Sequence, residues 1–403
     1  MTPRRPAPQA ALVAALRQAV PRAVAAVTRR IGDFDDAEDA VQEALVAAAR
    51  QWPQDGIPDE PAAWLTTVAV RRAIDQVRSD AARRERELRI TMLDPAPAAV
   101  STVDDTLALY ALCCHPALPR TAQVPLTLRA VAGLSTREIA RGLLLSEATV
   151  AQRISRAKAT LRAADARFDD ADLADRIPTI LDVLGLVHTE SHSAAEGDAI
   201  TRPELAVEAL RLARQLLAVT PSSAPWHGEV RGLVALMLFT SARTPARIAA
   251  DGSLVALADQ VRSLWRRDLI AEADDLLTVA LSRHPLGPFQ LRAAIAGLHD
   301  AATSFADTDW QELLALYDLL RVIDPGPVVE LARLVPFAEV HGADAALRLL
   351  DDLAPRTPAV RVGAVRAHLL TRAGRPAAAA YREAAGLAGN GAERRWLEAR
   401  AAE

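Results

Sequence analysis

The strongest constraint on the fold is punctuation. From about Asp169 onward, apolar residues recur at helical spacing. That recurrence is broken repeatedly by Pro and Gly, at Pro178 and in TPSSAPWHG, ARTPAR, HPLGP, IDPGP, LAPRTP and RAGRP. Segments of roughly ten to twenty residues between such breaks suit helices and exceed most strands. Alanine is abundant and aromatic residues make up only 4% of the chain, which favours helix over sheet. Upstream, helical patterns cover roughly 10–30, 36–51, 60–90, 103–114, 120–132, 136–144 and 147–164. The expected fold class is therefore all-α, and 403 residues exceed what one core ordinarily supports.

Two stretches of the last part repeat one plan. VVELARLVPFAEVHGADAALRLLDDLAP reads as a helix, a His341-Gly342 turn and a helix. AVRVGAVRAHLLTRAGRPAAAAYREAAGLA repeats it around Gly374, with Gly363, Ala367, Ala377 and Ala380 small enough to let paired helices approach closely. The pattern resembles tetratricopeptide-type helical hairpins. The expected organisation is a disordered tail at 1–10, a helical domain at 11–90, a Pro/Ala/Ser/Thr linker at 91–102, a second helical domain at 103–168 and a helical-repeat extension at 169–403.

Charge divides the chain in the same way. Residues 1–165 hold 22 Arg and Lys against 19 Asp and Glu, whereas residues 166–403 hold 25 against 32. Nucleic acid therefore belongs with the first half. No run of some eighteen uncharged apolar residues suggests a membrane span. The opening MTPRRPAPQA lacks the apolar stretch of a secretory signal. With Cys113 and Cys114 as its two cysteines, adjacent to each other, the chain suits a reducing cytoplasm.

The segment STREIARGLLLSEATVAQRISRAK (Ser135–Lys158) reads as helix, turn, helix. Ser135 and Glu138 form a capping box, and Ser146 can cap the second helix. Val150, Ile154, Ala157 and Leu161 fall within about 60° of one another at ~100° per residue and should face a core. The remaining faces carry Thr149, Gln152, Arg153, Arg156 and Lys158, with Arg137 and Arg141 on the first helix. Gln and Arg can meet base edges in pairs of hydrogen bonds, and Arg and Lys neutralise phosphates. A second basic site lies upstream, where Trp64, Val68, Arg71, Arg72, Asp75 and Arg78 share one sector and Ala63, Val70, Ile74 and Val77 share an apolar face. Trp can stack or wedge and Arg can hold phosphate. The preceding helix is acidic, with six acids and no base between Asp33 and Glu43. Such a face repels DNA and suits a basic protein partner.

In this order, DAEDAVQEAL, PAAWLTTVAVRRAIDQVR and TLRAVAGLSTREIARGLLLSEATVAQRISRAKATLR resemble a bacterial sigma factor of the extracytoplasmic-function type, in the sigma-70 family. LALYALCCHPALP, DTDWQELLALYDLL and AGNGAERRWLEAR resemble the subgroup with a long, tetratricopeptide-like C-terminal extension. The resemblance implies that residues 11–90 are region 2 and residues 103–168 region 4. It implies core RNA polymerase contact, through the β′ subunit, by Asp36, Glu38, Asp39, Gln42 and Glu43. Trp64, Arg71, Arg72, Asp75 and Arg78 would engage the −10 element. Arg137, Arg141, Thr149, Gln152, Arg153, Arg156 and Lys158 would read the −35 element of promoter double-stranded DNA. The subgroup also implies a partner among small DGPF-motif (YCII-like) proteins. Where it usually carries an aromatic-rich FNEGY-like stretch, this chain reads VLGLVHTESHSAAEGD, keeping Glu190.

Cys113-Cys114-His115 lacks the second cysteine pair of a zinc site, and His188-Thr-Glu190-Ser-His192 is not H-E-x-x-H. No phosphate-binding glycine loop or nucleophile elbow is present, so no cofactor, no metal and no enzymatic activity are expected. The competing reading is a stand-alone helix-turn-helix regulator with a helical-repeat sensor. The acidic and basic helices at 35–78 separate the two, because a repressor has no need of them.

Overall fold

The computed structural model describes residues 9–84, 106–143, 145–164, 166, 173–192, 198, 201–249, 252–357 and 359–403. It is helical throughout, with one isolated antiparallel bridge between Ile248 and Leu254 among the described residues. The expected linker at 91–102 and most of the expected tail at 1–10 lie outside the described residues. The chain divides into two compact units, residues 1–183 and 184–403.

In the first unit, α1 (Gln9–Ile31), α2 (Phe34–Asp55) and α3 (Pro61–Arg84) pack against one another in all three pairings. Asp33 starts α2 by accepting from the backbone N–H groups of Asp35 (2.8 Å) and Asp36 (3.1 Å). Gly56, at φ +83°, ends it where an L side chain would be strained. The fully buried positions of this bundle include Val24, Val41, Ala44, Trp52, Leu65 and Ala69. On α3 the core thus takes Leu65 and Ala69, while Ala63, Val70 and Ile74 are only half-buried. A wheel of a single helix finds an apolar sector but does not reveal which part of it the neighbours cover.

Four further helices follow: α4 (Thr106–Cys113), α5 (Arg120–Ala130), α6 (Thr136–Leu143) and α7 (Glu147–Ala163). The capping box forms: Glu138 Oε2 accepts from the Ser135 N–H (2.8 Å) and the Ser135 hydroxyl accepts from the Glu138 N–H (3.2 Å). Ser146 caps α7 by accepting from the Thr149 N–H at 3.0 Å. Val150, Ile154, Ala157 and Leu161 are all buried, as their spacing predicts. They pack α7 on α5 and α6. Cys113 and Cys114 are fully buried, and burial pushes the Cys114 thiol up to about 12, against a weak contact to the Thr127 hydroxyl.

Helix α8 (Leu173–His192) contains the point of division between the units. The second unit continues with α9 (Pro203–Val219), α10 (His227–Ala242), α11 (Thr244–Arg247), α12 (Arg267–Arg283), α13 (Pro288–Ala301), α14 (Trp310–Ile323), α15 (Pro327–His341), α16 (Ala343–Leu353), α17 (Ala359–Arg372), α18 (Ala378–Leu387) and α19 (Gly391–Ala402). From α12 onward each helix packs on the next, the pattern of a helical repeat array. The two hairpins read from sequence are α15–α16, turning at Gly342 (φ +91°), and α17–α18, turning at Gly374 (φ +65°). A Cβ at Gly363 would stand 3.2 Å from that of Ala384, so α17 and α18 do approach closely there. At the crossing of α10 on α13, a Cβ at Gly232 would lie 2.6 Å from the backbone nitrogen of Gln290. Glu229 reaches across the same crossing and accepts from the first free N–H groups of α13, those of Phe289 (2.9 Å) and Gln290 (3.0 Å). The last helix returns to the segment after α11: Arg400 meets Asp259 at 2.5 Å, and Trp396, Ala399 and Arg400 line a groove with Leu254 and Val255.

Candidate functional site

The candidate residues lie on α2, α3, α6 and α7, all in the first unit. On α7, Gln152 and Arg156 are exposed and Arg153 is half-buried on a flank. The Thr149 hydroxyl is 2.8 Å from that of Ser146, inside the cap. Arg137 is exposed on α6. Arg141 belongs to α6, but its side chain lies outside the described residues, as do those of Asp75 and Arg78 on α3. Arg71 and Arg72 are exposed. Trp64 is half-buried with its ring edge-on to that of Trp52, centroids 5.3 Å apart and planes at 70°.

The acidic helix α2 keeps Asp36, Asp39 and Glu43 exposed and Gln42 half-buried, but Glu38 is buried, its side chain only 5% exposed. Two cations account for that. Arg129, at the end of α5, places its Nε 2.9 Å from Glu38 Oε1 and donates to the Leu134 carbonyl. Lys158 places its Nζ 2.9 Å from Glu38 Oε2 and 2.7 Å from Asp35 Oδ1. A third cation, Arg162 in the last turn of α7, reaches Asp35 Oδ2 (2.7 Å) and Asp33 Oδ2 (3.2 Å). Lys158 is the single lysine of the chain. Burial disfavours its ammonium, but Glu38 and Asp35 outweigh burial and hold its pKa above the ordinary value. The Asp33 carboxyl is held below its ordinary range: burial works against this, and the Asp36 and Asp35 N–H groups with Arg162 prevail. Asp36 and Asp39 are raised, by burial first and then by neighbouring carboxylates.

The structure therefore joins residues that sequence reasoning assigned to different partners. Glu38 and Lys158 pair directly, and on the far side of α2 Glu43 pairs with Arg72 at 3.0 Å. Between α2 and α7 runs a groove of about 390 Å³, lined on one side by Asp35, Asp39 and Gln42 and on the other by Ala151, Ser155 and Ala159. Arg129, Arg162, Asp33 and Asp35 were not singled out from sequence. Only a contact between positions some ninety or more residues apart distinguishes Arg129 from other arginines, and its bond to Glu38 spans 91 residues.

The HTESH stretch closes α8 inside the second unit. The His188 Nε2 lies 2.7 Å from the Thr240 hydroxyl, and His192 Nε2 accepts from Arg247 at 2.7 Å, with the two imidazoles stacked at 5.7 Å. Glu190 pairs with Arg202 at 2.6 Å. Nearby, Arg243 meets the buried Asp300 at 2.5 Å, and Arg262 caps the end of α13 by donating to the Ala302 carbonyl. Burial, with the arginines, lowers His188 and His299 to about 4 and His192 to about 2. Among the described residues no group of three or more His, Cys, Asp or Glu is arranged to hold a metal ion, and no helix is long and apolar enough to cross a membrane.

Comparison with known families places models on each part. Residues 15–83 match Sigma-70 region 2, residues 108–161 match Sigma-70, region 4, and residues 176–281 match a family of unknown function (DUF6596). An uncharacterized protein of Rhizobium meliloti is 39% identical over 403 aligned residues, covering 95% of this chain and 93% of that protein. A probable ECF RNA polymerase sigma factor, SigI, of Mycobacterium tuberculosis is 33% identical over 138 residues, 32% of this chain and 47% of its own length. The ECF RNA polymerase sigma factor SigK of Mycobacterium bovis is 30% identical over 141 residues, 34% of this chain and 75% of its own length. No solved structure matches.

Proposed function

Because the chain belongs to the extracytoplasmic-function sigma factors that carry a helical C-terminal extension, we propose that it binds core RNA polymerase through α2 and directs initiation at promoters read by α3 and α7. The observation that carries this reading is the order of surfaces in the first unit. An acidic helix precedes a helix bearing Trp64, Arg71 and Arg72, and a capped helix-turn-helix presents Gln152 and Arg156 to solvent. One helix-turn-helix on a monomer makes few base contacts. Two promoter modules on one chain, tethered to the polymerase, raise each other's effective concentration. The polymerase supplies the catalysis, and the chain supplies address.

In this reading the extension, residues 169–403, regulates the activity and takes part in productive initiation in the cytoplasm, with a small DGPF-motif (YCII-like) protein as a candidate partner. The test is run-off transcription with sigma-free core polymerase on the promoter of the chain's own operon, full length against a chain ending near Asp169. Transcripts that depend on the protein are expected, with output that differs between the two lengths. Absence of any core binding while DNA binding persists would refute the reading. Equal output and equal stability of the two chains would remove the regulatory role.

A further inference from the structure

The second unit holds buried positive charge that its own carboxylates do not answer. Elsewhere in this unit arginines carry acids: Arg202 with Glu190, Arg214 with Glu272, Arg292 with Asp324 and Arg333 with Asp318. Where the end of α8 meets α11, α13 and the segment 261–265, three guanidinium groups gather instead. Arg243 and Arg262 both lie over the Trp265 ring, at 5.7 and 4.6 Å, and Arg247 follows Arg243 one helical turn on. Among the described residues Asp300 is the one carboxylate within ion-pair distance of any of them, 2.5 Å from Arg243. Arg247 is bonded to the His192 imidazole, and Arg262 to the backbone carbonyls of His299 and Ala302. Burial and the arginines keep both imidazoles, and that of His188, uncharged at neutral pH. Asp274 and Asp307 lie farther off, and Asp307 is engaged by the hydroxyls of Thr303 and Ser304.

Three cations against one anion leave two positive charges uncompensated in a setting where charge is costly. Hydrogen-bond donors are in surplus too. Arg247 Nε, Arg262 Nη2 and Trp265 Nε1 are buried and meet no acceptor among the described residues. An acceptor-rich anion answers both surpluses at once, and the planar fork of Arg suits a phosphoryl or carboxylate group. We propose that Arg243, Arg247 and Arg262, with the Trp265 indole N–H, form a binding site for a small, doubly charged oxyanion, a phosphate monoester or a dicarboxylate. The site belongs wholly to the second unit, whatever the first unit binds. Nucleic acid does not suit it, because the Arg243 side chain is only 12% exposed and a phosphate strung along a duplex would not reach it. A bound anion links the end of α8 to α11 and α13, and so tightens the start of the helical array.

The test titrates full-length protein by calorimetry with inorganic phosphate and, separately, with succinate, each against chloride at the same ionic strength. Hydrogen exchange of peptides from α10 and α13 is followed in the same buffers. Saturable binding of at least one anion is expected, with exchange in those peptides slowed about tenfold at roughly ten times its Kd. Preference for phosphate marks the ligand as a phosphate ester, and preference for succinate marks it as a dicarboxylate. Arg247→Gln should abolish both the binding and the slowing. No binding of either anion above the chloride control overturns the site, as does an anion response that survives in Arg247→Gln. Should that variant lose helicity, Arg247→Lys keeps the charge without the fork and should bind roughly tenfold more weakly. Unchanged affinity in Arg247→Lys would likewise overturn the site.

Discussion

Lowering the pH from 7 to 5 should weaken the second unit by about 4 kcal/mol, and the buried histidines set that figure. Burial first, and Arg247 second, hold His188 at about 4, and burial with Arg247 and His188 holds His192 at about 2. His299 is lowered to about 4 by burial and then by Arg243 and Arg262. In the unfolded chain each titrates near 6.5. Their folded values are depressed, so the stability they permit is complete above pH 6.5. It is lost as pH falls toward the folded values, because the unfolded chain then takes up protons that the folded one refuses. At pH 5 each contributes a loss of about 2 kcal/mol, roughly 5–6 kcal/mol for the three. Asp300 acts in the opposite direction: burial raises it to about 6 against the pull of Arg243, so protonation between pH 7 and 5 returns about 1 kcal/mol. His227 and His368 are also lowered and add to the loss. The net is a large share of the ~5–15 kcal/mol that a domain has. Hydrogen exchange of peptides from α10 and α13, corrected for the intrinsic rate at each pH, measures it in the intact chain. His188→Gln should flatten the slope by about one proton's worth. An exchange free energy that is level or rising between pH 7 and 5 would refute the reasoning.

Other expectations follow from particular contacts. Gly232→Ala forces α10 and α13 apart against backbone atoms of Gln290 at 2.6 and 2.8 Å, and should cost ~1–3 kcal/mol in urea unfolding. Ile154→Ala empties a core position under α7 and should cost the first unit ~2–4 kcal/mol, read by thermal melting, with promoter binding lost in step. Arg156→Ala should weaken binding to the −35 element by ~1–3 kcal/mol and relax selectivity there, measured against a panel of single-base variants. Unchanged selectivity would take Arg156 out of the base-reading set.

What was legible in the sequence was local. The Ser135–Glu138 capping box, the Ser146 cap and the stripe of Val150, Ile154, Ala157 and Leu161 each need only neighbours within a turn or two, and all appear as read. The hairpin turns at Gly342 and Gly374 were legible for the same reason: a glycine between two apolar-periodic runs marks a left-handed residue. The acidic face of α2 was legible as acidic but not as paired. Nothing near Glu38 in the chain announces Arg129 or Lys158, because an ion pair across 91 or more residues leaves no periodicity. Trp64 read as an aromatic free for nucleic acid, and its edge contact with Trp52 comes from the crossing of α2 and α3, which no single-helix wheel contains. The HTESH histidines likewise find Thr240 and Arg247 more than fifty residues away. Helix identity is written in short-range pattern; charge pairing in a helical protein is written in topology.

The return of α19 to the segment after α11 has a consequence for every shortened form of the extension. A row of helices with two free ends can fray from either one, and its stability grows member by member. Here Arg400 on Asp259, with Trp396 seated beside Leu254 and Val255, sews the tail of the row to its head. Opening either end also breaks that contact, so the seam resists fraying by the modest amount an exposed ion pair contributes, about 1 kcal/mol or less. Clipping α19 would open that seam as well as remove its twelve residues, so any activity a clipped chain lost would measure both.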